Sequence, residues 1–200
     1  TVDLQLVTAS ERSAGRRYGE VVNWVIEEPL PEEYAEMRIE PTAPEKVLEY
    51  GVDIVFSALP SSAAPGVEPE LAGRGVAVVS NASSMRMDDD VPLLNPEVNA
   101  DHAELVEVQR SRRGWRGFIA KVPNCTTAIL TLALKPLVDE YGVSRVVVST
   151  MQALSGAGLS GVPSMLILDN IIPFIEGEEW KVGNETRKIL GSLEGGAVRY

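Results

Sequence analysis

The stretch from Asp53 to Ser84, DIVFSALPSSAAPGVEPELAGRGVAVVSNASS, decides the fold. It opens on a short apolar run, Asp53 to Leu59, that Pro60 closes, and such a run reads as a buried strand. Ser61 to Gly73 follows as a short helix with a proline–glycine interruption. Val76 to Ser80 is a second strand, and Asn81-Ala82-Ser83-Ser84 is a polar loop at its carboxyl end. Strand, helix and strand in that order form a βαβ unit, so the fold class is α/β with a mainly parallel sheet.

The same alternation extends outward. On the amino side, Val2 to Val7 predicts a strand that ends in the polar turn Thr8 to Gly15. On the carboxyl side come a proline-bounded loop (Pro92 to Pro96), a helix (Asp101 to Arg113) and a short strand (Gly117 to Lys121). Pro123 and Asn124 then introduce an apolar helix from Cys125 to Tyr141. The β-branched run Arg145 to Thr150 predicts another strand, which enters the glycine-rich Ser155-Gly156-Ala157-Gly158. Pro163 to Ile175 predicts an interfacial or substrate-domain helix, and the domain seam falls near Pro123.

With 200 residues, 44% hydrophobic and 24% charged, the chain suits one substantial soluble domain or two modest ones. A net charge of −11 argues against nucleic acid or an anionic membrane as the main partner, though local arginines and lysines can still hold a phosphate. No apolar run approaches the roughly 20 residues that span a bilayer. One cysteine and one histidine leave no material for a disulfide framework or a Cys/His metal cluster, so no metal is expected. A free thiol suits a reducing cytoplasm. Because the chain starts at Thr1 in an apolar run and stops at Tyr200 after a helix-like segment, both ends read as truncated.

The single cysteine stands in Val-Pro-Asn-Cys-Thr-Thr, residues 122–127. Pro123 disfavours helix just before it, and Asn124 is a good N-cap, so Cys125 falls in a first helical turn. Free N–H groups and the positive end of the helix dipole favour a thiolate there, and can donate to an oxyanion when sulfur attacks a carbonyl. Position alone leaves a second reading open, a buried and inert cysteine. Gln152 precedes the glycine-rich loop and offers an amide for a carboxylate or carbonyl; equally, it suits a surface position. Arg86 follows a strand end, where open α/β sheets place ligands. Glu178 and Lys181 fit either a ligand grip or an ordinary solvated i,i+3 pair. Arg12, Ser13, Arg16 and Arg17 after the first strand lean toward a 2′-phosphate and so NADP, with Glu11 pulling the other way.

Taken together, the strings TASERSAGRRYGE (8–20), DIVFSALP (53–60), SNASSMRM (80–87), VPLLNPEVN (91–99), VPNCTT (122–127) and TMQALSGAGLSGVPSMLILDNIIPFIEGEEWK (150–181) resemble the aspartate-semialdehyde dehydrogenase family, in the branch common in archaea and fungi. The resemblance implies a Rossmann-like dinucleotide-binding domain over residues 1–123 for NADP, followed by the start of an α+β catalytic and dimerisation domain over 124–200. It implies Cys125 as nucleophile and Gln152 as the glutamine that positions substrate. Arg86, Lys181 and Asn124 match the phosphate site, and Glu178 the carboxylate for the substrate's α-amino group. Ser10, Arg12 and Ser13 match the region contacting the adenosine and its 2′-phosphate; Ser155, Gly156 and Gly158 match the loop at the nicotinamide end.

The reaction implied is reductive dephosphorylation of L-4-aspartyl phosphate to L-aspartate 4-semialdehyde, serving synthesis of lysine, methionine, threonine and isoleucine. The family forms dimers or tetramers. Its glycine-rich phosphate loop is expected before Thr1, and its catalytic histidine and substrate arginine after Tyr200, so the chain as written is expected not to be fully active. His102, in Asn99-Ala100-Asp101-His102, does not match that histidine. Two rivals share the chemistry. A malonyl-CoA-type reductase would need neither the phosphate grip nor the amino-group carboxylate, and N-acetyl-glutamyl-phosphate reductases surround their cysteine differently. A third is a non-catalytic remnant that binds nucleotide or dimerises.

Overall fold

The computed structural model describes residues 2–158 and 161–200. Strand β1 (Val7–Ala9) runs parallel to β2 (Ile39–Pro41), with the short helices α1 (Tyr18–Val21) and α2 (Glu32–Ala35) between them. Helix α3 (Pro44–Glu49) leads to a parallel sheet in the order β3 (Ile54–Ser57), β4 (Ala77–Ser80), β5 (Phe118–Lys121). The β3-to-β4 crossover is α4 (Ala64–Gly73). Between β4 and β5 lie α5 (Pro96–Asn99), a 3-10 turn (Ala100–Glu104) and α6 (Leu105–Arg113). Helix α7 (Cys125–Tyr141) leaves the end of β5; α8 (Ser164–Ile167), α9 (Glu178–Leu190) and the antiparallel hairpin β6 (Ser192–Glu194), β7 (Ala197–Arg199) follow.

The βαβ reading of residues 53–84 agrees with this order, with one correction. Strand β3 is the sheet edge, and Phe56 is 68% exposed, so only its other face is covered. Three further expectations shift. The first strand lies at Val7–Ala9 rather than Val2 to Val7, because its partner β2 is itself three residues long. Arg145 to Thr150 forms no strand: no described segment pairs with it, and β-branched composition cannot substitute for a ladder. The helix expected from Pro163 to Ile175 is confined to Ser164–Ile167. The elements α1, α2, β2, α3 and the terminal hairpin have no counterpart in the sequence reading.

Apolar side chains of α3, α4 and the sheet meet in one core, built on Val47, Leu71, Ala72, Val76, Val78, Val91 and Ile119. Gly117 is required just before β5, since a Cβ there would stand 2.1 Å from the Val76 carbonyl oxygen. At the carboxyl edge the register aligns Ser57, Ser80 and Lys121 in one row. All three converge on the buried carboxylate of Glu68 from α4. Ser57 and Ser80 hydroxyls donate to Oε1 at 2.7 and 2.6 Å, and the Lys121 ammonium donates to Oε2 and to Ser80 Oγ. Burial pushes the Lys121 ammonium below its ordinary range, while Glu68 pulls it back up. The pair thus ties α4 to β3, β4 and β5 directly below the loops that leave the sheet.

Helix α9 is rich in charge, yet Glu185 and Lys188 are 1% and 2% exposed. The Lys188 ammonium donates to three carbonyl oxygens, of Arg86 (2.8 Å), Asp88 (2.7 Å) and Val91 (2.9 Å), and so fixes the loop after β4. Three acceptors match its three N–H donors. Burial lowers it from 10.5 to about 8, against the pull of Asp88, Asp89, Asp90 and Glu185. His102 is buried as well; its Nδ1 faces the Asn99 amide at 3.0 Å and its Nε2 the Gly191 carbonyl oxygen at 3.1 Å. Burial holds that imidazole below its usual range, against the pull of the Gly191 carbonyl and Asp101.

Lys121→Met strands the Glu68 charge in the interior, and is expected to cost about 3–5 kcal/mol in urea unfolding. Adding Glu68→Leu should return most of that loss, and a double variant no more stable than Lys121→Met would contradict the pairing. For Lys188, the unfolded chain keeps its proton up to about pH 10.5 and the folded chain releases it near 8. Between those values the unfolded state binds more protons, so the stability this group contributes increases with pH. The unmutated chain should therefore gain on Lys188→Met by at most about 1.4 kcal/mol per pH unit between pH 8 and 10, read by denaturant unfolding at each pH.

Candidate active site

The site is built around the start of α7. Asn124 is the N-cap, and its side-chain oxygen accepts from the Thr127 N–H at 3.1 Å. Cys125 is the first helical residue and is exposed, so it is not a buried cysteine. Its sulfur therefore stands where unpaired helix N–H groups and the positive end of the dipole are concentrated. Asn124 has two further contacts: its amide donates to Glu178 Oε2 at 3.0 Å, and its backbone N–H donates to Glu185 Oε2 at 2.7 Å.

Glu178, the first residue of α9, gathers the neighbours of the cysteine. Its Oε1 accepts from the Thr126 hydroxyl at 2.9 Å and from the Gln152 amide at 2.6 Å. Gln152 also donates to Thr126 Oγ1 at 2.8 Å. The glycine-rich loop lies beside Gln152, since a Cβ on Gly156 would stand 3.4 Å from the Gln152 Oε1. Ser155 and Gly156 lie in a 3-10 turn, and Gly158 adopts φ +78°, a conformation side chains disfavour.

Arg86 and Lys181 meet at a cavity of about 240 Å³, with Ser83, Asp88, Trp180 and Glu185 in its walls. That is smaller than the roughly 300 Å³ at which pockets for drug-sized ligands begin, and suits a small group. Arg86 is itself buried. One guanidinium nitrogen donates to Glu185 Oε1 at 2.9 Å and another to the Asn81 carbonyl oxygen at 2.6 Å. Its buried Nε has no partner among the described residues. Glu178 and Lys181 are therefore no solvated pair: Glu178 turns to Asn124, Thr126 and Gln152, and Lys181 to the cavity.

The structure thus brings Asn124, Cys125, Gln152, Glu178 and Gly156 together, and joins Arg86 to them through Glu185. Ser10, Arg12 and Ser13 lie elsewhere, in the turn at the carboxyl end of β1, where Ser13 N–H closes on the Ser10 carbonyl at 2.8 Å. Arg16 and Arg17 are engaged locally with the Glu20 carbonyl and Glu36, whereas Arg12 has no ion-pair partner among the described residues. Sequence reasoning does not single out Thr126, Glu185 or Lys188. A signal for the last two exists in the spacing 178, 181, 185, 188, which puts Glu, Lys, Glu and Lys on one face of α9.

Beyond α7 lies a broad cleft of about 1440 Å³, walled by Leu130, Leu134 and Val138 of α7 and by Val147, Ile171 and Phe174. Among the described residues no group of three or more His, Cys, Asp or Glu is placed to hold a metal ion, and no helix is long and apolar enough to cross a membrane.

Comparison with known proteins bears on the whole arrangement. The semialdehyde dehydrogenase NAD binding domain matches residues 1–106, and the semialdehyde dehydrogenase dimerisation domain matches residues 134–200. An aspartate-semialdehyde dehydrogenase of Methanothermobacter thermautotrophicus is 54% identical over 197 residues, 98% of this chain and 56% of that protein. A malonyl CoA reductase (NADP) of Metallosphaera sedula is 40% identical over 186 residues, 93% of this chain and 52% of that protein. The crystal structure of aspartate semialdehyde dehydrogenase with NADP from Candida albicans superposes with a TM-score of 0.82 at 38% identity, covering 98% of this chain and 55% of that one. The chain spans about half the length of the curated relatives it matches. With both domain patterns in order on an α/β scaffold, the chain belongs to the semialdehyde dehydrogenase family.

Proposed function

We propose that this chain carries the nucleotide-binding and nucleophile-bearing regions of an NADP-dependent aspartate-semialdehyde dehydrogenase. The observation that supports this most is the adjacency of an exposed helix-start thiol and a small cavity bearing Arg86 and Lys181, joined through Asn124 and Glu185. The Cys125 thiolate attacks the acyl carbon of L-4-aspartyl phosphate; a C–S bond forms, the C–O bond to phosphate breaks, and phosphate leaves with the electron pair toward Arg86 and Lys181. Helix N–H groups at α7 stabilise the oxyanion that develops. NADPH, when bound, supplies the hydride that reduces the thioester to the aldehyde level. Cleavage of the C–S bond then releases L-aspartate 4-semialdehyde and returns the thiolate. Dividing the reaction at a covalent intermediate lowers each barrier.

The remaining assignments follow the same reading. Gln152 orients the substrate carbonyl beside the sulfur, and Glu178 turns its carboxylate from the chain's own donors to the substrate ammonium. Ser10, Arg12 and Ser13 hold the adenosine 2′-phosphate, for which the exposed Ser10 hydroxyl and the Arg12 guanidinium, without an ion-pair partner among the described residues, fit. Ser155, Gly156 and Gly158 let the nicotinamide end approach the backbone. Proton transfer falls to a group other than His102, which is buried and engaged on both ring nitrogens. The domains divide at Pro123, and the cytoplasm is the compartment. The exposed Val147, Leu168, Ile171 and Phe174 support burial of the second domain in a homodimer or homotetramer. A malonyl-CoA-type reductase is disfavoured, since a thioester substrate leaves the Arg86–Lys181 cavity and Glu178 without a task.

At pH 7 iodoacetamide should alkylate Cys125 roughly tenfold faster than a cysteine in an unstructured peptide, only a few per cent of which is thiolate. Inorganic phosphate should slow that labelling saturably, and Arg86→Gln should abolish the protection. A labelling rate equal to the peptide's, indifferent to phosphate, would remove the enzyme reading.

A further inference from the structure

We infer that Glu185 is a positioning residue, one buried carboxylate that holds the phosphate-gripping arginine and the nucleophile's helix in a single register. This rests on the reading of the Arg86–Lys181 cavity as the phosphate site. The two carboxylate oxygens are divided between two tasks. Oε1 accepts from Arg86 at 2.9 Å, and Oε2 accepts at 2.7 Å from the peptide N–H of Asn124, the residue before Cys125. The side chain is 1% exposed, so neither bond competes with water. Arg86 is pinned on a second side by the Asn81 carbonyl oxygen, and three of the five guanidinium N–H donors, the buried Nε–H among them, have no acceptor among the described residues. Arg86 and Glu185 both line the cavity.

A carboxylate placed there only to neutralise Arg86 has no need of the Asn124 N–H. By taking both, Glu185 makes the position of the guanidinium and the first turn of α7 mutually dependent, so an anion that draws on Arg86 is felt at the cysteine. Lys188, three residues further along the same face of α9, fixes the backbone of the Arg86 loop through three carbonyl oxygens, which leaves the guanidinium as the group free to respond. The bridge is sterically specific. Glutamine replaces one of the two acceptor oxygens by an NH2 group, which sets a donor against a donor, and aspartate is one methylene too short to span them.

Because Cys125 is the only cysteine, its alkylation by iodoacetamide reports on the site without turnover. The labelling rate is measured at pH 7 and constant ionic strength while inorganic phosphate is titrated. Glu185→Gln should raise the half-protecting phosphate concentration about tenfold or more, the effect of losing one charge-assisted hydrogen bond. NADP binding and the cooperativity of unfolding should stay as in the unmutated chain. Glu185→Asp, which keeps the charge and loses the reach, should fail in the same way; its full recovery of protection would overturn the bridge in favour of charge alone. Should Glu185→Gln not fold, the unmutated ¹⁵N-labelled chain decides. The Asn124 amide and the Arg86 Nε–H should then shift with one phosphate midpoint, and an Asn124 amide that ignores phosphate while Arg86 responds overturns the proposal. Absence of any phosphate effect on the unmutated chain defeats the anion-site reading itself, whereas protection that survives Glu185→Gln defeats only the role of Glu185.

Discussion

Charge buried between α9 and the loops leaving the parallel sheet is the constraint on which the site depends. Glu185 and Lys188 stand one helical turn apart with almost no exposure, and each commits its hydrogen-bonding capacity to groups about a hundred or sixty residues away in sequence. Taking a carboxylate and an ammonium out of water is unfavourable by several kcal/mol per ion unless geometry satisfies them. Here it does: Glu185 has Arg86 and a peptide N–H, and Lys188 has three carbonyl oxygens. Such a pair holds only one docking of α9, because a shift of one residue would leave both charges unsatisfied.

A second buried pair acts in the same way within the sheet. Glu68 and Lys121 bind the ends of β3, β4 and β5 to α4, so the strand that delivers the Val122-Pro123-Asn124 turn cannot drift from its neighbours. Cys125 is thus placed by a chain of causes. The sheet register fixes Lys121, the proline and N-cap start α7 a few residues later, and Glu178 and Glu185 hold Asn124 from the other side. The thiol itself carries none of this load and remains open to solvent. That division suits a nucleophile, whose surroundings must be rigid while its reacting atom stays accessible.

Elements governed by neighbours in sequence are legible from the residues alone. Helix α7 begins where proline and asparagine say it should, since capping and breaking are local effects. The βαβ unit from Asp53 to Ser84 follows from apolar runs separated by a helical stretch. Where a partner is needed, local reading falters: Arg145 to Thr150 has strand composition and no strand, and Phe56 belongs to an apolar run yet lies open on an edge. The stripe 178, 181, 185, 188 is visible as a spacing, but nothing local distinguishes a charged face that meets water from one that meets a loop.

The residue string by itself determined the α/β class and the helix that starts at Cys125. Tertiary structure alone decided which charges are buried, that Glu185 stands between Arg86 and Asn124, and that Gln152 and Thr126 share one carboxylate oxygen of Glu178. The reason is physical. Capping, turn and periodicity act over a few residues and leave their mark on adjacent letters, whereas the desolvation of a charge depends on every group that surrounds it, and those groups arrive from the whole length of the chain.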